Sequence, residues 1–304
     1  MSHWSLRTPV VLIIYNRPDT TREVFAKVAQ ACPRNLLVIA DGPRRERPGD
    51  DERCAVARSV VTDIQWDCNV LRNYADENLG CKQRVATGLD WVFSLVDDAI
   101  ILEDDCVPSE SFFRFCDELL ERYREDERVM HISGDNFLAN QPNRIFDYYF
   151  SRYPHVWGWA TWRRAWRYFD VTMKHWKEVP DKRWLMQVFN SVNERRFWKH
   201  AWDSVATGAI DTWDYQWAFA CIVESSLCIA PFRNLVTNIG FLAESTHTRH
   251  ANPRLAVPAS ELEFPLRHPE LMVRDVAADN DDADLFFTNA GLARRLLQRV
   301  VRRV

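Results

Sequence analysis

The chain has 304 residues, of which 47% are apolar, so it can bury a substantial core as one large domain or as two fused halves. Its 39 basic and 43 acidic residues give a formal net charge of -4, which creates no strong field to attract the phosphates of a nucleic acid. The composition therefore argues against a nucleic-acid partner.

Targeting and redox signals are equally sparse. Residues 1–8 lack the basic head, apolar stretch and cleavage site of a secretory signal, and no apolar run approaches the roughly 20 residues of a membrane-spanning helix. We therefore expect a cytoplasmic protein whose membrane contact, if any, is peripheral. The eight cysteines have no short paired spacing, which argues against a zinc knuckle or a dithiol motif and predicts reduced, buried thiols.

Short apolar runs alternate with helical patterns through the first 135 residues. Strands are predicted at residues 9–15, 36–40, 68–74 and 99–102, and helices at residues 50–64, 81–96 and 109–124. Thr20 and Glu23 form a capping box that predicts the start of another helix. Such alternation is typical of an α/β fold with a mostly parallel sheet flanked by helices on both faces, and residues 1–135 are interpreted as a nucleotide-binding half.

The rest of the chain has a different texture. Ten of the 13 tryptophans lie between Trp157 and Trp217, among helical patterns at residues 161–169 and 213–223, so a second, mostly helical half is predicted for residues 136–250. Residues 251–304 are predicted to form a linker, marked as solvated by Asn280-Asp281-Asp282, followed by a C-terminal basic amphipathic helix.

Polar residues follow each predicted strand of the first half. Ligands of such sheets bind beyond the carboxyl ends of the strands, so these residues are candidates for chemistry. They are Tyr15-Asn16-Arg17, Asp41-Gly42, Asn78-Leu79-Gly80 and Glu103-Asp104-Asp105. Taken alone, Asn16-Arg17-Pro18 is also typical of an ordinary turn.

The strongest local signal is Glu103-Asp104-Asp105, directly after a buried strand. Three adjacent carboxylates repel one another, and a bound hard cation such as Mn²⁺ or Mg²⁺ would compensate them together with phosphate oxygens and water. The alternative is a solvated acidic turn.

This motif also carries a family resemblance. Residues 100–113, IILEDDCVPSESFF, resemble the strand-EDD-helix segment of N-acetylglucosaminyltransferase I, and residues 8–250 resemble bacterial GT-A glycosyltransferases loosely related to the family-two enzymes. The other segments that carry the resemblance are WGWATWRRAW at residues 157–166, WDYQW at 213–217, and NIGF at 238–241 leading to THT at 246–248. It implies a GT-A type nucleotide-diphospho-sugar transferase fold.

The resemblance implies a role for each residue of the acidic motif. Asp105 would bind the metal directly, Asp104 would meet the ribose or a metal-bound water, and Glu103 would face the donor sugar. The residues implied to hold the base and ribose are Tyr15, Asn16, Arg17 and Asp41, with Arg84 near the base or the diphosphate. His247 falls where GT-A enzymes often supply a histidine, and a neutral imidazole is a good ligand for Mn²⁺, although a lone histidine is more often structural.

Asp214 is the candidate general base. An inverting transfer needs a carboxylate to take the proton of the acceptor hydroxyl, and its neighbours Trp213 and Tyr215 would raise its proton affinity by partial desolvation. The alternative is that Asp214 caps the following helix, in which case Asp211 is the nearest substitute. Of the tryptophans, most are expected in the core.

Trp157 and Trp159 are the tryptophans placed in an acceptor site, where a sugar could stack on the indole rings. Together these features predict a glycosyltransferase, hexosyl or N-acetylhexosaminyl, that acts in polysaccharide biosynthesis. It would move a sugar from a nucleoside diphosphate, UDP by analogy, to a carbohydrate or lipid-linked glycan, with residues 136–250 as the acceptor-binding half of the same domain.

Two rival functions are weaker. A sugar nucleotidyltransferase would also combine an α/β sheet with a metal and a nucleotide, but the chain has only nine glycines and lacks the glycine-rich opening loop of that class. A non-catalytic carbohydrate-binding relative would have no need of the intact acidic motif with Asp214 and His247.

The C-terminal helical pattern is amphipathic. Leucine and valine at four-residue spacing form an apolar stripe over residues 292–304, and five arginines occupy the remaining positions. This pattern suits peripheral binding to an anionic inner-membrane surface. The alternative is that the stripe packs on the body of the protein or on a second subunit in a homodimer.

Overall fold

The computed structural model describes residues 4–138, 145–240 and 257–288. Within these ranges the chain forms a mixed eight-stranded sheet with helices on both faces, so the predicted α/β architecture is confirmed. The strands are β1 Val10–Ile14, β2 Asn35–Ala40, β3 Asn69–Tyr74, β4 Asp98–Glu103, β5 Cys106–Pro108, β6 Val129–Ser133, β7 Tyr148–Ser151, β8 Trp159–Trp162, β9 Leu227–Pro231 and β10 Val236–Asn238. The helices are α1 Pro18–Ala31, α2 Asp50–Val60, α3 Gly80–Leu95, α4 Glu110–Arg122, α5 Arg163–Trp166, α6 Lys174–Glu178, α7 Leu185–Val188, α8 Val192–Ala206, α9 Asp214–Val223 and α10 Val276–Ala283, which a π-helical turn, Asp284–Thr288, follows.

The strand order of the large sheet is β3-β2-β1-β4-β8-β6-β9-β7. Strands β1 to β4 are mutually parallel, as the alternating pattern predicts, and β8 runs antiparallel to both β4 and β6. Strand β9 is parallel to β6, and β7 closes the edge in the antiparallel direction. Strands from both halves of the chain thus belong to one sheet.

The central strands are buried on both faces, which explains their nearly continuous apolar sequences. One face of the sheet packs against α1 and α4 through side chains such as Val24 and Phe112. The other face packs against α3 and α9 through Leu89 and Trp217. A third cluster around Trp202 of α8 holds the tryptophan-rich helices together.

The predicted capping box is wrong. Helix α1 begins at Pro18, two residues before Thr20, and the Thr20 and Thr21 hydroxyls donate to the carbonyl oxygen of Arg17. Proline is well suited to the first helical position because its φ is already helical and its missing N–H has no partner there.

The predicted helix over residues 161–169 is also wrong at its start. Thr161 and Trp162 belong to β8 and pair with Ala99 and Asp98 of β4, and the helix α5 covers only Arg163–Trp166. A β-branched and an aromatic residue suit a buried strand, so sheet pairing overrides the helical spacing of the tryptophans.

The acidic run at residues 280–282 is not a solvated linker. It lies in α10, where Asp282 is only 5% exposed and its carboxylate contacts Nε2 of His155 at 3.0 Å. Asp279 is buried as well and accepts a hydrogen bond from the hydroxyl of Ser151 at 2.6 Å. Cationic and hydroxyl partners compensate these carboxylates, which composition alone does not show.

A small antiparallel sheet of β5 and β10 joins distant parts of the chain by pairing Asn238 with Cys106. No helix within residues 4–138, 145–240 and 257–288 is long and apolar enough to cross a membrane. All eight cysteines are free thiols, and five of them are buried. His247 and the C-terminal helix at residues 292–304 lie outside the described residues.

Candidate active site

The predicted site residues gather at one edge of the sheet because β1, β2 and β4 are neighbouring parallel strands. The register pairs Ile13 with Glu103 and Ile14 with Ala40. The segments that follow these three strands therefore leave the sheet side by side, as expected for the ligand-binding edge of such a sheet.

Asp104 and Asp105 converge on one cationic group, the guanidinium of Arg17. Nη1 of Arg17 donates to Oδ2 of Asp105 at 2.8 Å, and Nη2 donates to Oδ1 of Asp104. The other oxygen of Asp104 accepts the backbone N–H of Tyr15 at 3.1 Å. Both aspartates are 2% exposed, so the acidic motif is not a solvated turn.

Strand β10 covers Asp105 from the far half of the chain. Nδ2 of Asn238 lies 3.4 Å from Oδ1 of Asp105, and the N–H of Ile239 donates to the carbonyl oxygen of Asp105 at 2.8 Å. A Cβ added to Gly240 would lie 2.2 Å from Oδ2 of Asp105, so only glycine leaves room for this carboxylate. Residues 238–240 and the acidic motif are thereby brought together.

Burial and like charges dominate the electrostatics of the motif. Burial, the charge of Asp105 and, more weakly, that of Asp214 raise the pKa of Glu103 to about 8. Burial opposes the charge of Arg17, but the carboxylates of Asp104 and Asp105 raise its pKa above the usual value. Asp214, far away in the sequence, thus lies within electrostatic range of Glu103.

Tyr15 and Asn16 are held by a residue that the sequence did not single out, Asp50 at the start of α2. Its two oxygens accept the Tyr15 hydroxyl and the Asn16 amide, and also the N–H of Arg44 at 2.9 Å. Burial would raise the pKa of Asp50, but these hydrogen bonds and one from Arg53 bring it well below its usual range. Asp50 is therefore ionised, and its carboxylate holds the loop after β1 through Tyr15 and Asn16.

The carboxylate of Asp41 organises the loop that leads into α3. It accepts the N–H groups of Gly42, Leu79 and Gly80 at 2.8, 2.9 and 3.2 Å, and the Asn78 amide at 2.9 Å. Arg84 is 5% exposed and donates to the side chain of Asn73 at 2.6 Å. Both predicted nucleotide-binding residues thus lie at the correct sheet edge, and their side chains contact protein groups.

Asp214 is the first residue of α9, and its carboxylate accepts one N–H of the first turn, which agrees in part with the capping alternative. Its Oδ1 accepts the Thr212 hydroxyl and the N–H of Tyr215 at 2.9 Å, and Oδ2 receives no hydrogen bond within the part of the chain that the structure describes. Burial raises its pKa against these bonds. Asp211 packs instead against the α3 start, since a Cβ added to Gly80 would lie 2.6 Å from its Oδ2.

The two tryptophans predicted for the acceptor site differ. Trp159 is 1% exposed, and its ring stacks on Trp213 and on His131 with centroid distances of 5.4 and 5.1 Å, so it is a core residue. Trp157 is half-buried, and its ring meets the edge of Phe137 at 4.9 Å.

A second carboxylate that the sequence did not single out is Asp135, two residues after β6. It is 1% exposed. The sequence does contain a signal for it, because Asp135 follows a largely apolar strand just as the acidic motif does, although it lies in the second half of the chain. Asp50 gave no comparable signal, since its partners lie 34 and 35 residues away.

The donor set of the site fits a divalent cation that also binds phosphate. Within the described ranges, no group of three or more His, Cys, Asp or Glu residues is arranged to hold a metal ion. Magnesium sites in nucleotide enzymes use one or two carboxylates and take their remaining oxygens from the substrate and water. The carboxylates of Asp104 and Asp105, converging on one cationic group, match that donor set.

Comparison with known proteins gives little further guidance. No protein-family model matches the chain, and no curated protein matches it significantly. Among solved structures it is similar to the mannosyltransferase PcManGT from Pyrobaculum calidifontis, solved in complex with GDP-Man and Mn²⁺. The identity is 11% over 98% of this chain and 86% of that chain, and the TM-score of 0.39 is too low to support an argument about function.

Proposed function

We propose that this chain is a metal-dependent glycosyltransferase that moves one sugar from a nucleoside diphosphate to a carbohydrate or lipid-linked glycan. The observation that carries the proposal is the convergence of Asp104 and Asp105 on one cationic group at the ligand-binding edge of an α/β sheet. The opening glycine-rich loop of nucleotidyltransferases is missing, and Asp214 supplies a carboxylate near the same site. The substrate class follows from this combination and from the resemblance to GT-A enzymes.

In this proposal Asp105 is the metal ligand and Asp104 contacts the ribose or a metal-bound water. Asp105 would hold a cation, Mn²⁺ or Mg²⁺, which would supply positive charge for the departing diphosphate, a contribution of several kcal/mol. Asn238 and the Gly240 backbone hold Asp105 in place from the opposite side. Mutation of such supporting groups around a metal ligand typically lowers metal affinity by about 10- to 100-fold.

The donor is proposed to lie over the ends of β1 and β2. Asp50 holds Tyr15 and Asn16 in fixed positions, which suits residues that contact a base and a ribose, and Arg17 can exchange its carboxylate contacts for the diphosphate. UDP is the proposed nucleotide by analogy. Asp41 and Arg84 would act at the same end of the site.

Asp214 is proposed as the general base of an inverting single displacement, with Glu103 facing the donor sugar. Oδ2 of Asp214 receives no hydrogen bond among the described residues and can accept a proton. Burial raises the pKa of Asp214 toward the range in which a carboxylate accepts a proton efficiently. The acceptor oxygen attacks the anomeric carbon and loses its proton to Asp214, while the bond from that carbon to the diphosphate breaks on the opposite face, so the product has inverted configuration.

The experiment that tests the proposal is calorimetric titration of UDP in the presence of Mn²⁺. Asp105→Ala is expected to abolish metal-dependent binding and to leave the fold intact, because it removes a ligand and relieves carboxylate repulsion. Asp98→Asn is the matched control, since Asp98 lies at the opposite end of β4 in an ion pair with Arg124 at 2.8 Å. Unchanged UDP affinity in Asp105→Ala would contradict the metal assignment.

A further inference from the structure

Asp135 is a carboxylate buried just after β6. Both of its oxygens lack a hydrogen bond within the described residues. The backbone N–H groups of Asp135 itself and of Trp157 lower its pKa, but neither makes a hydrogen bond of normal geometry with it. An unpaired buried carboxylate destabilises a fold, and groups of this kind are found preferentially where they serve a ligand.

The one cationic side chain beside Asp135 among the described residues is committed elsewhere. His155 contacts Asp282 at 3.0 Å, and its backbone N–H donates to the Ser133 hydroxyl at 3.2 Å. The attraction between His155 and Asp135 acts at longer range, where it lowers the pKa of Asp135, and no close ion pair joins the two side chains in the described ranges. The environment of Asp135 is instead aromatic, since the Phe137 ring meets the rings of His155 and Trp157 at 5.2 and 4.9 Å.

The sheet register places Asp135 beside the candidate active site. Ile101 of β4 and Ser133 of β6 both pair with Trp159 of the intervening strand β8. Two residues further along, Glu103 and Asp135 therefore flank the same point of the chain, next to Trp157. The N–H of Gly134 donates to Gly158 at 2.7 Å, which shows that the pairing continues in this direction.

The order of the sheet fixes the side on which Asp135 lies. Strand β4, which the acidic motif follows, lies between β1 and β8, and β6 lies beyond β8. The end of β6, which Asp135 follows, is therefore on the side opposite to the loop after β1.

We propose that Asp135 is a binding residue for the acceptor, and that it accepts hydrogen bonds from hydroxyl groups of a sugar ring whose C–H face packs on Trp157. This inference rests on the proposed glycosyltransferase function and names the surface that recognises its second substrate. An ionised carboxylate only accepts hydrogen bonds, which matches the hydroxyl donors of a sugar, and such charge-assisted bonds are strong. The half-exposed side chain of Phe137 must turn aside to admit the sugar ring.

The test compares Asp135→Asn with Asp117→Asn. Asp117 is equally buried, but its oxygens accept the N–H and hydroxyl of Thr8 at 3.0 and 2.7 Å and the indole N–H of Trp4 at 3.2 Å. The probes are methyl glycosides of glucose, galactose, mannose and N-acetylglucosamine, titrated into the protein with UDP and Mn²⁺ present and followed by saturation-transfer NMR. Thermal unfolding is measured on the same samples without ligand.

We expect Asp135→Asn to weaken the best glycoside by about tenfold or more, the effect of losing one charge-assisted hydrogen bond. The variant should keep the UDP affinity of the wild type and unfold about 2 °C higher or more, because burial disfavours the charge of Asp135 by more than the attraction of His155 compensates. Asp117→Asn should lower the unfolding temperature and leave glycoside binding unchanged. If the role of Asp135 were purely structural, Asp135→Asn would lower the unfolding temperature, as Asp117→Asn is expected to do.

The outcomes separate the two proposals. If the wild type binds neither UDP nor another nucleoside diphosphate with Mn²⁺, the glycosyltransferase function is wrong. If UDP binds but no glycoside does, or if Asp135→Asn binds the best glycoside as tightly as the wild type or unfolds at a lower temperature, then only the assignment of Asp135 is overturned.

Discussion

Asp214 and Asp211 lie three residues apart but have different surroundings. Asp214 keeps one oxygen without a hydrogen bond among the described residues, whereas Asp211 packs on Gly80. We expect Asp214→Asn to lower turnover by roughly 10² or more, the scale of losing a general base, without changing donor affinity. The measurements are initial rates with a glycan acceptor and UDP titration on the same protein.

Asp211→Asn is the matched control for this substitution. Because its carboxylate supports the start of α3, we expect a small change of stability and a turnover within a few-fold of the wild type. A near wild-type rate for Asp214→Asn, or a larger loss for Asp211→Asn, would move the base to Asp211.

A substitution at Gly240 tests whether the packing around Asp105 supports metal binding. A Cβ there would lie 2.2 Å from Oδ2 of Asp105, so Gly240→Ala must displace that carboxylate or the backbone. We expect Mn²⁺ affinity in the presence of UDP to fall by roughly 10-fold or more, measured by calorimetry. Gly208→Ala is a useful control, since its φ of 78° strains an alanine while no atom lies within 4 Å of the new Cβ. It should lower stability and leave Mn²⁺ affinity unchanged.

For single residues, the sequence indicated the position of the candidate site better than the contacts of its side chains. The acidic motif was identifiable because three carboxylates directly after an apolar strand are unusual. Asp50 was not, because its role depends on the loop after β1 folding back onto the start of α2. Local sequence does not contain the partner of a side chain that lies 30 or more residues away.

At the scale of elements, α10 is held to the sheet by buried charges. Burial would lower the pKa of His155, but the charge of Asp282, with those of Asp135 and Asp279, raises it to about 9. A histidine whose pKa is higher in the folded state than its unfolded value of about 6.5 adds stability below that pH. That stability is lost as the pH rises through 9.

Asp282→Asn is therefore expected to be destabilised by about 3 kcal/mol at pH 6, the lower end of the cost of breaking a buried ion pair. The difference from the wild type should shrink steadily between pH 6.5 and 9.5, as His155 loses its proton in both proteins. Urea unfolding at several pH values measures this. A constant difference across the range would show that the contact contributes through packing and not through charge.

The elements of the first half were predictable and those of the second half less so. In β1 to β4 each strand is a short apolar run bounded by polar residues, and the helices between them have clear periodicity. Residues 159–162 carry tryptophans at helical spacing, yet they form β8 because β4 and β6 offer backbone partners on both sides. Such pairing is a tertiary effect that overrides local preference.

At the scale of the whole molecule, the sheet order assembles the site. Strand β8 lies antiparallel between β4 and β6, so the carboxyl ends of those two strands flank its beginning. Glu103 thereby comes near Asp135 and Asp214, which lie 32 and 111 positions further along the chain. The sequence predicted that strand ends would matter, but not which strands would be neighbours. The order of β8, β6, β9 and β7 follows from long-range pairing, and no short motif in the second half indicates it.

The unfolding temperature of the protein measures donor binding, since a ligand that binds only the folded state raises it. At 100 times its dissociation constant, a nucleotide sugar stabilises the fold by about 2.7 kcal/mol, which corresponds to a shift of about 5 °C for a chain of this size. We expect this shift for UDP-sugars with Mn²⁺ and not for UDP-sugars alone, and we expect Asp105→Ala to lose it. Equal shifts with and without Mn²⁺ would contradict metal dependence, and a larger shift with GDP-sugars would reassign the nucleotide. If no nucleotide sugar shifts the transition, then Asp104 and Asp105 serve only as partners of Arg17, and the site has a structural role.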